Sequence, residues 1–133
     1  MPQKSWFDTT IVVGVLYAVV GIVLALPQTH VKAWRLAAWT VSAVLYMLHI
    51  AYEQLRLRYP PRSMAIHVAT AVGIGASLLA VSALAHSLII PPDYSRWRLL
   101  IALVVWPILT GVPAFICAFV IGIVLRQIIR TAE

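Results

Sequence analysis

Charge is what this sequence is shortest of. Only 11% of its 133 residues are charged, and the acidic ones are Asp8, Glu53, Asp93 and Glu133 alone. A soluble domain carries about a quarter charged residues, because its whole surface must be hydrated. So sparse a set cannot solvate a globule of this size, which excludes a water-soluble fold. Cysteine is nearly absent too. Cys117 stands alone, so no internal disulfide can form and the redox compartment leaves no trace. In an apolar run such a cysteine reads as a small packing residue.

The chemical motifs are missing as well. There is no His-Glu-x-x-His, no cysteine pair, and no Ser, His and Asp set; His49 and Glu53 stand four apart, unlike the zinc peptidase spacing. Gly73-Ile74-Gly75 is not a phosphate loop, since no strand precedes it and no lysine follows. No carboxylate lies deep in an apolar run, where proton-coupled carriers usually keep one. An enzyme is therefore not expected, and no motif identifies a substrate or requires a cofactor.

What the chain does have is 62% hydrophobic residues in long blocks. Residues 9–31, 36–52, 63–92 and 99–125 contain no Asp, Glu, Lys or Arg. Crossing a hydrocarbon core of roughly 30 Å takes about 20 helical residues, with about 17 as the lower end. All four blocks meet that length, the second barely. Uniformly apolar runs satisfy their backbone groups in lipid as helices rather than as barrel strands. The expected fold is an all-α integral membrane protein: four transmembrane helices at residues 10–26, 34–53, 64–90 and 98–126, arranged as two antiparallel hairpins in one small bundle.

The punctuation agrees with this division. Trp6 and Phe7 suit an interfacial anchor, and Asp8 or Thr9 a helix cap. Pro27 ends the first helix. No small-x-small cleavage site precedes it, so a retained helix is expected rather than a cleaved signal peptide. Pro60-Pro61 and Pro91-Pro92 break the chain before helices 3 and 4, with Ser63 available to cap helix 3. Lys32-Ala33-Trp34-Arg35-Leu36 and Ser95-Arg96-Trp97-Arg98-Leu99 echo each other at the starts of helices 2 and 4. Either a tandem duplication or the common preference of Trp and Arg for interfaces would produce that echo.

The net charge is +6, yet every Lys and Arg falls at a helix end or in a short connection, where basic residues meet lipid headgroups. Membrane lipids are expected partners and nucleic acid is not. Four helices place both termini on one side, with Lys4, Arg56, Arg58, Arg62, Arg126 and Arg130; Lys32, Arg35, Arg96 and Arg98 fall on the other. Six against four favours cytoplasmic termini, in a membrane such as the bacterial inner membrane.

Three features stand out as candidate sites. Small residues recur on helix 1 (Gly14, Ala18, Gly21, Ala25), on helix 3 (Ala65, Ala69, Gly73, Ser77) and on helix 4 (Ala114, Ala118, Gly122). Such stripes let membrane helices approach closely, within the bundle or against a partner; Gly73 is the expected point of closest approach. Pro107, Thr110, Gly111 and Pro113 predict a bend or opening of helix 4 between Leu103 and Val112. Ser42, Tyr46, His49 and Glu53 share one face of helix 2, and His67 lies at matching depth on helix 3. The cluster of Tyr46, His49, Glu53 and His67 is the only place where titratable groups converge. Its imidazoles would fix the hairpin, contact a lipid or quinone headgroup, or ligate a haem or chlorophyll.

The sequence leaves three functional expectations. The leading one is a small non-catalytic accessory subunit that packs against larger integral membrane partners, for example in an energy-transducing complex. The others are a homo-oligomeric transporter or channel built around a broken helix 4, and a haem- or pigment-binding subunit using His49 or His67.

Overall fold

A computed structural model describes residues 3–90 and 95–132, with side chains from residue 6 to residue 131 within those bounds. Its four helices are α1 (Gln3–Ala25), α2 (Val31–Leu55), α3 (Pro61–Ile89) and α4 (Trp97–Ala132). Each is long and apolar enough to cross a membrane. The expected helix count, type and order are all found, and no strand occurs among the described residues.

The helix starts differ from expectation in instructive ways. α1 begins well before Thr10, so Asp8 and Thr9 lie inside the helix rather than capping it. Tertiary contact explains the extension: Trp6 stacks on His67 of α3 instead of anchoring at the interface alone. α2 begins at Val31 because His30, in a left-handed conformation (φ 54°), turns its carbonyl onto the Ala33 and Trp34 amides. α3 begins at Pro61, whose missing N–H costs nothing in a first turn, so Ser63 is not its cap. Arg58, also left-handed (φ 53°), swings the chain into that start. Of the turn expected at Asp93-Tyr94-Ser95-Arg96 after Pro91-Pro92, residues 91–94 lie outside the described residues.

Of the bend or opening expected in α4, no opening is present. The helix continues without interruption through Pro107, Thr110, Gly111 and Pro113. Each proline forfeits one backbone hydrogen bond, whereas unwinding would leave several carbonyls unsatisfied in an apolar surrounding. Thr110 adds bonds of its own, its hydroxyl donating to the Trp106 carbonyl at 2.9 Å and the Pro107 carbonyl at 3.3 Å.

α3 is the central helix. It packs most extensively on α4 and next on α1, while α2 lies at the side, touching α1 more than α3 or α4. Small residues make these seams. Ala118 of α4 is fully buried with Ile50, Met64, Ala65 and Val68, and a Cβ placed on Gly122 would come within 2.7 Å of the Met64 methyl. Gly14 and Gly75 face each other: a Cβ on Gly75 would lie 2.6 Å from Tyr17 Cβ and 3.1 Å from the Gly14 carbonyl oxygen. Ala18 is buried and Gly21 sits against Leu79, while Ala25 is exposed.

The expected role of Gly73 is therefore corrected. No atom of another helix lies within 4 Å of where its Cβ would be. A strict four-residue step rotates by about 40° per step around a 3.6-residue helix. The row Ala65, Ala69, Gly73, Ser77 accordingly begins buried and winds out of the interface, and Gly75 and Ala76 replace it there.

Candidate functional site: a buried carboxylate between two imidazoles

Glu53 lies two residues before the end of α2 and is fully buried, with no accessible surface. One turn earlier on the same helix, His49 presents Nε2 at 3.6 Å from Glu53 Oε1, within ion-pair range but too far for a hydrogen bond. From the start of α3, His67 Nδ1 donates to Glu53 Oε2 at 3.0 Å. α1 closes the cluster. The Trp6 ring lies parallel to the His67 imidazole, with centroids 4.5 Å apart and planes 10° apart. Tyr59, in the α2–α3 connection, meets the same imidazole edge-on at 4.9 Å, and its amide reaches the Glu53 carbonyl at 3.4 Å.

The convergence expected for His49, Glu53 and His67 is thus found, while Tyr46 goes elsewhere. Its hydroxyl donates to the Ala114 carbonyl at 2.6 Å, tying α2 to α4. Trp6 is the member that sequence reasoning missed, because nothing local signals that α1 extends far enough to cover α3. His30 and His86 are exposed and belong to the opposite end of the bundle.

A carboxylate shielded from water costs several kcal/mol of lost hydration unless charge and hydrogen bonds replace it. Here one hydrogen bond and one longer contact do so, and the replacement is partial. Thr10 Oγ1, Glu53 Oε1, Gln54 Oε1 and both ring nitrogens of His49 are buried without a hydrogen-bond partner. The two imidazoles address different oxygens of one carboxylate. Among the described residues no group of three His, Cys, Asp or Glu is placed to hold a metal ion. The arrangement suits a polar clamp that joins three helices at one end of the bundle.

A second feature adjoins the clamp. Between α1 and α2 lies an open cleft of about 410 Å³. Val12, Val13, Leu45 and Leu48 form its walls, Asp8, Thr9 and Tyr52 its outer end, and His49 its boundary with the clamp. The short connection sets this register: in an antiparallel hairpin, residues equally far from the turn lie opposite each other. No protein-family model matches the chain, and no significant match was found among curated proteins or solved structures.

Proposed function

We propose that this protein is a small non-catalytic subunit of a larger membrane complex, and that a partner helix docks on the open side of α3 at Gly73. The observation that carries the reading is the unfilled space at Gly73 on the central helix. Thr70 and Ser77 flank it, one helical turn to either side. Their hydroxyls donate to their own helix, to the Ile66 carbonyl at 2.7 Å and the Gly73 carbonyl at 2.9 Å. Thr70 is exposed, and Gly73 and Ser77 are partly so. Close backbone approach at small residues is how membrane helices associate, since lipid offers no hydrophobic reward for association.

Other integral membrane subunits are the partners of this reading, with lipid around the remaining surface. The apolar outer faces of α2 and α4 are consistent with either neighbour: Leu36, Trp39 and Leu48 of α2 and Val104 and Leu109 of α4 are all exposed. The transport reading drew its support from a broken helix 4, and α4 is continuous. In the haem or pigment reading, His67 would ligate through Nε2, its Nδ1 being engaged by Glu53.

Purification of the chain from its native membrane in mild detergent, with mass spectrometry of what accompanies it, tests the proposal. A stoichiometric larger partner is expected. Gly73→Leu should release that partner while leaving the melting temperature of the isolated bundle unchanged, because the new side chain enters empty space. A chain that purifies alone, or a Gly73→Leu variant that keeps its partner, defeats the proposal.

A further inference from the structure

We infer that the α1–α2 cleft is a binding site for a phospholipid with a primary ammonium headgroup, its acyl chain lying between the apolar walls. Three properties of the cleft point there, one for each part of such a lipid. Its volume of about 410 Å³ falls within the ~300–1,000 Å³ typical of small-molecule sites, which are likewise mostly apolar with few polar groups. Its walls, Val12 and Val13 facing Leu45 and Leu48, match an acyl chain and nothing polar. From Tyr52 to Leu45 the helix descends ~10 Å at 1.5 Å per residue, so the slot runs inward from the membrane surface.

The outer end supplies the headgroup contacts. Asp8 is exposed there and takes part in neither of the ion pairs found among the described residues, both of which belong to Glu53. A carboxylate at headgroup depth beside an apolar slot calls for a cation with N–H donors. The Tyr52 ring, across the cleft, adds an aromatic face to which an ammonium is attracted. Arg56 follows Tyr52 by four residues, hence on the same side of α2 and one turn nearer the surface, and it is exposed. It stands where a phosphate would sit if the ammonium met Asp8 and the chain entered between Val12 and Leu48. A negative group, a positive group and an apolar slot, in that arrangement, complement a zwitterionic lipid better than an anionic one, which Asp8 would repel. Behind the slot, the buried His49 ring has no hydrogen-bond partner on either nitrogen, its Nε2 standing 3.6 Å from Glu53 Oε1.

Native mass spectrometry of the intact chain, released from vesicles with equal phosphatidylethanolamine and phosphatidylglycerol of identical acyl chains, tests this. The wild-type protein should retain phosphatidylethanolamine preferentially. Asp8→Asn should lower that retention by about tenfold or more, the loss of one charge-assisted hydrogen bond, with unchanged thermal melting because Asp8 is exposed and in neither ion pair. Val12→Trp should abolish the adduct by filling the slot. Dodecylamine, which offers an ammonium without a phosphate, should compete weakly. Equal or greater retention of phosphatidylglycerol, an unaltered adduct in Asp8→Asn, or full displacement by dodecylamine would each overturn the assignment, the last by giving the cleft to free amines.

Discussion

At the scale of single residues, Glu53 concentrates the energetics of this protein. It is an ionisable group without exposed surface, and its partners come from its own helix and from α3. Removing one member of a buried polar pair leaves the other unsatisfied, at a cost of ~1–3 kcal/mol, whereas replacing the whole pair by apolar groups of similar volume is often neutral. Glu53→Leu alone should therefore lower the melting temperature of the detergent-solubilised bundle. Glu53→Leu combined with His67→Phe should recover most of the loss, since a phenyl ring can still stack under Trp6. A double variant as unstable as the single one would show that the clamp's worth lies outside the Glu53–His67 bond. The convergence of these residues was legible in the sequence, because His49 and Glu53 share a helix face and His67 mirrors their depth across the hairpin. The hydrogen-bond pairing was not, since two imidazoles compete for one carboxylate and only side-chain packing ranks them.

At the scale of helices, the seams depend on which small residues face inward, and a stripe by itself does not say. Gly73 and Gly75 are two residues apart and differ completely: one opens to empty space, the other lies against Tyr17 and the Gly14 carbonyl. Gly75→Ala should force α1 away from α3 and lower the melting temperature, by an amount in the range of ~1–3 kcal/mol for overpacking. Gly73→Ala should leave melting unchanged. Equal effects of the two substitutions would mean that α3 is rotated relative to the packing described above. The same lesson applies to α4. Two prolines and a glycine in one stretch are a strong local signal for a break, yet the helix persists, because its neighbours and its apolar surroundings make an open backbone more costly than two missing bonds.

At the scale of the whole molecule, the start of α1, the last part of α4 and the α2–α3 turn lie at one end. Trp6 on His67 and Gly122 beside Pro61 hold them there. Arg56, Arg58, Arg62, Arg126 and Arg130 gather at that end, while Lys32, Arg35, Arg96 and Arg98 mark the other. Retention of basic residues inside predicts that the arginine-rich end faces the cytoplasm. Cysteines introduced at Arg58 and at Ser95, in a Cys117→Ala background, report this directly. An impermeant maleimide added to intact cells should modify the Ser95 position and spare the Arg58 position. The reverse pattern would invert the molecule.

The amino-acid sequence alone determined that the chain folds as four apolar helices in antiparallel order, because charge-free length is a local property that no packing can override in lipid. It also determined that His49, Glu53 and His67 would share one level of the bundle, because helical rise converts residue spacing directly into depth. Which faces of the helices meet was decided only by the tertiary structure. Rotation of each helix about its axis is set by the summed fit of many side chains from two neighbours at once. That fit placed Gly75 rather than Gly73 in the seam, carried α1 out to Trp6 over the imidazole of His67, and left the α1–α2 cleft open beside Asp8.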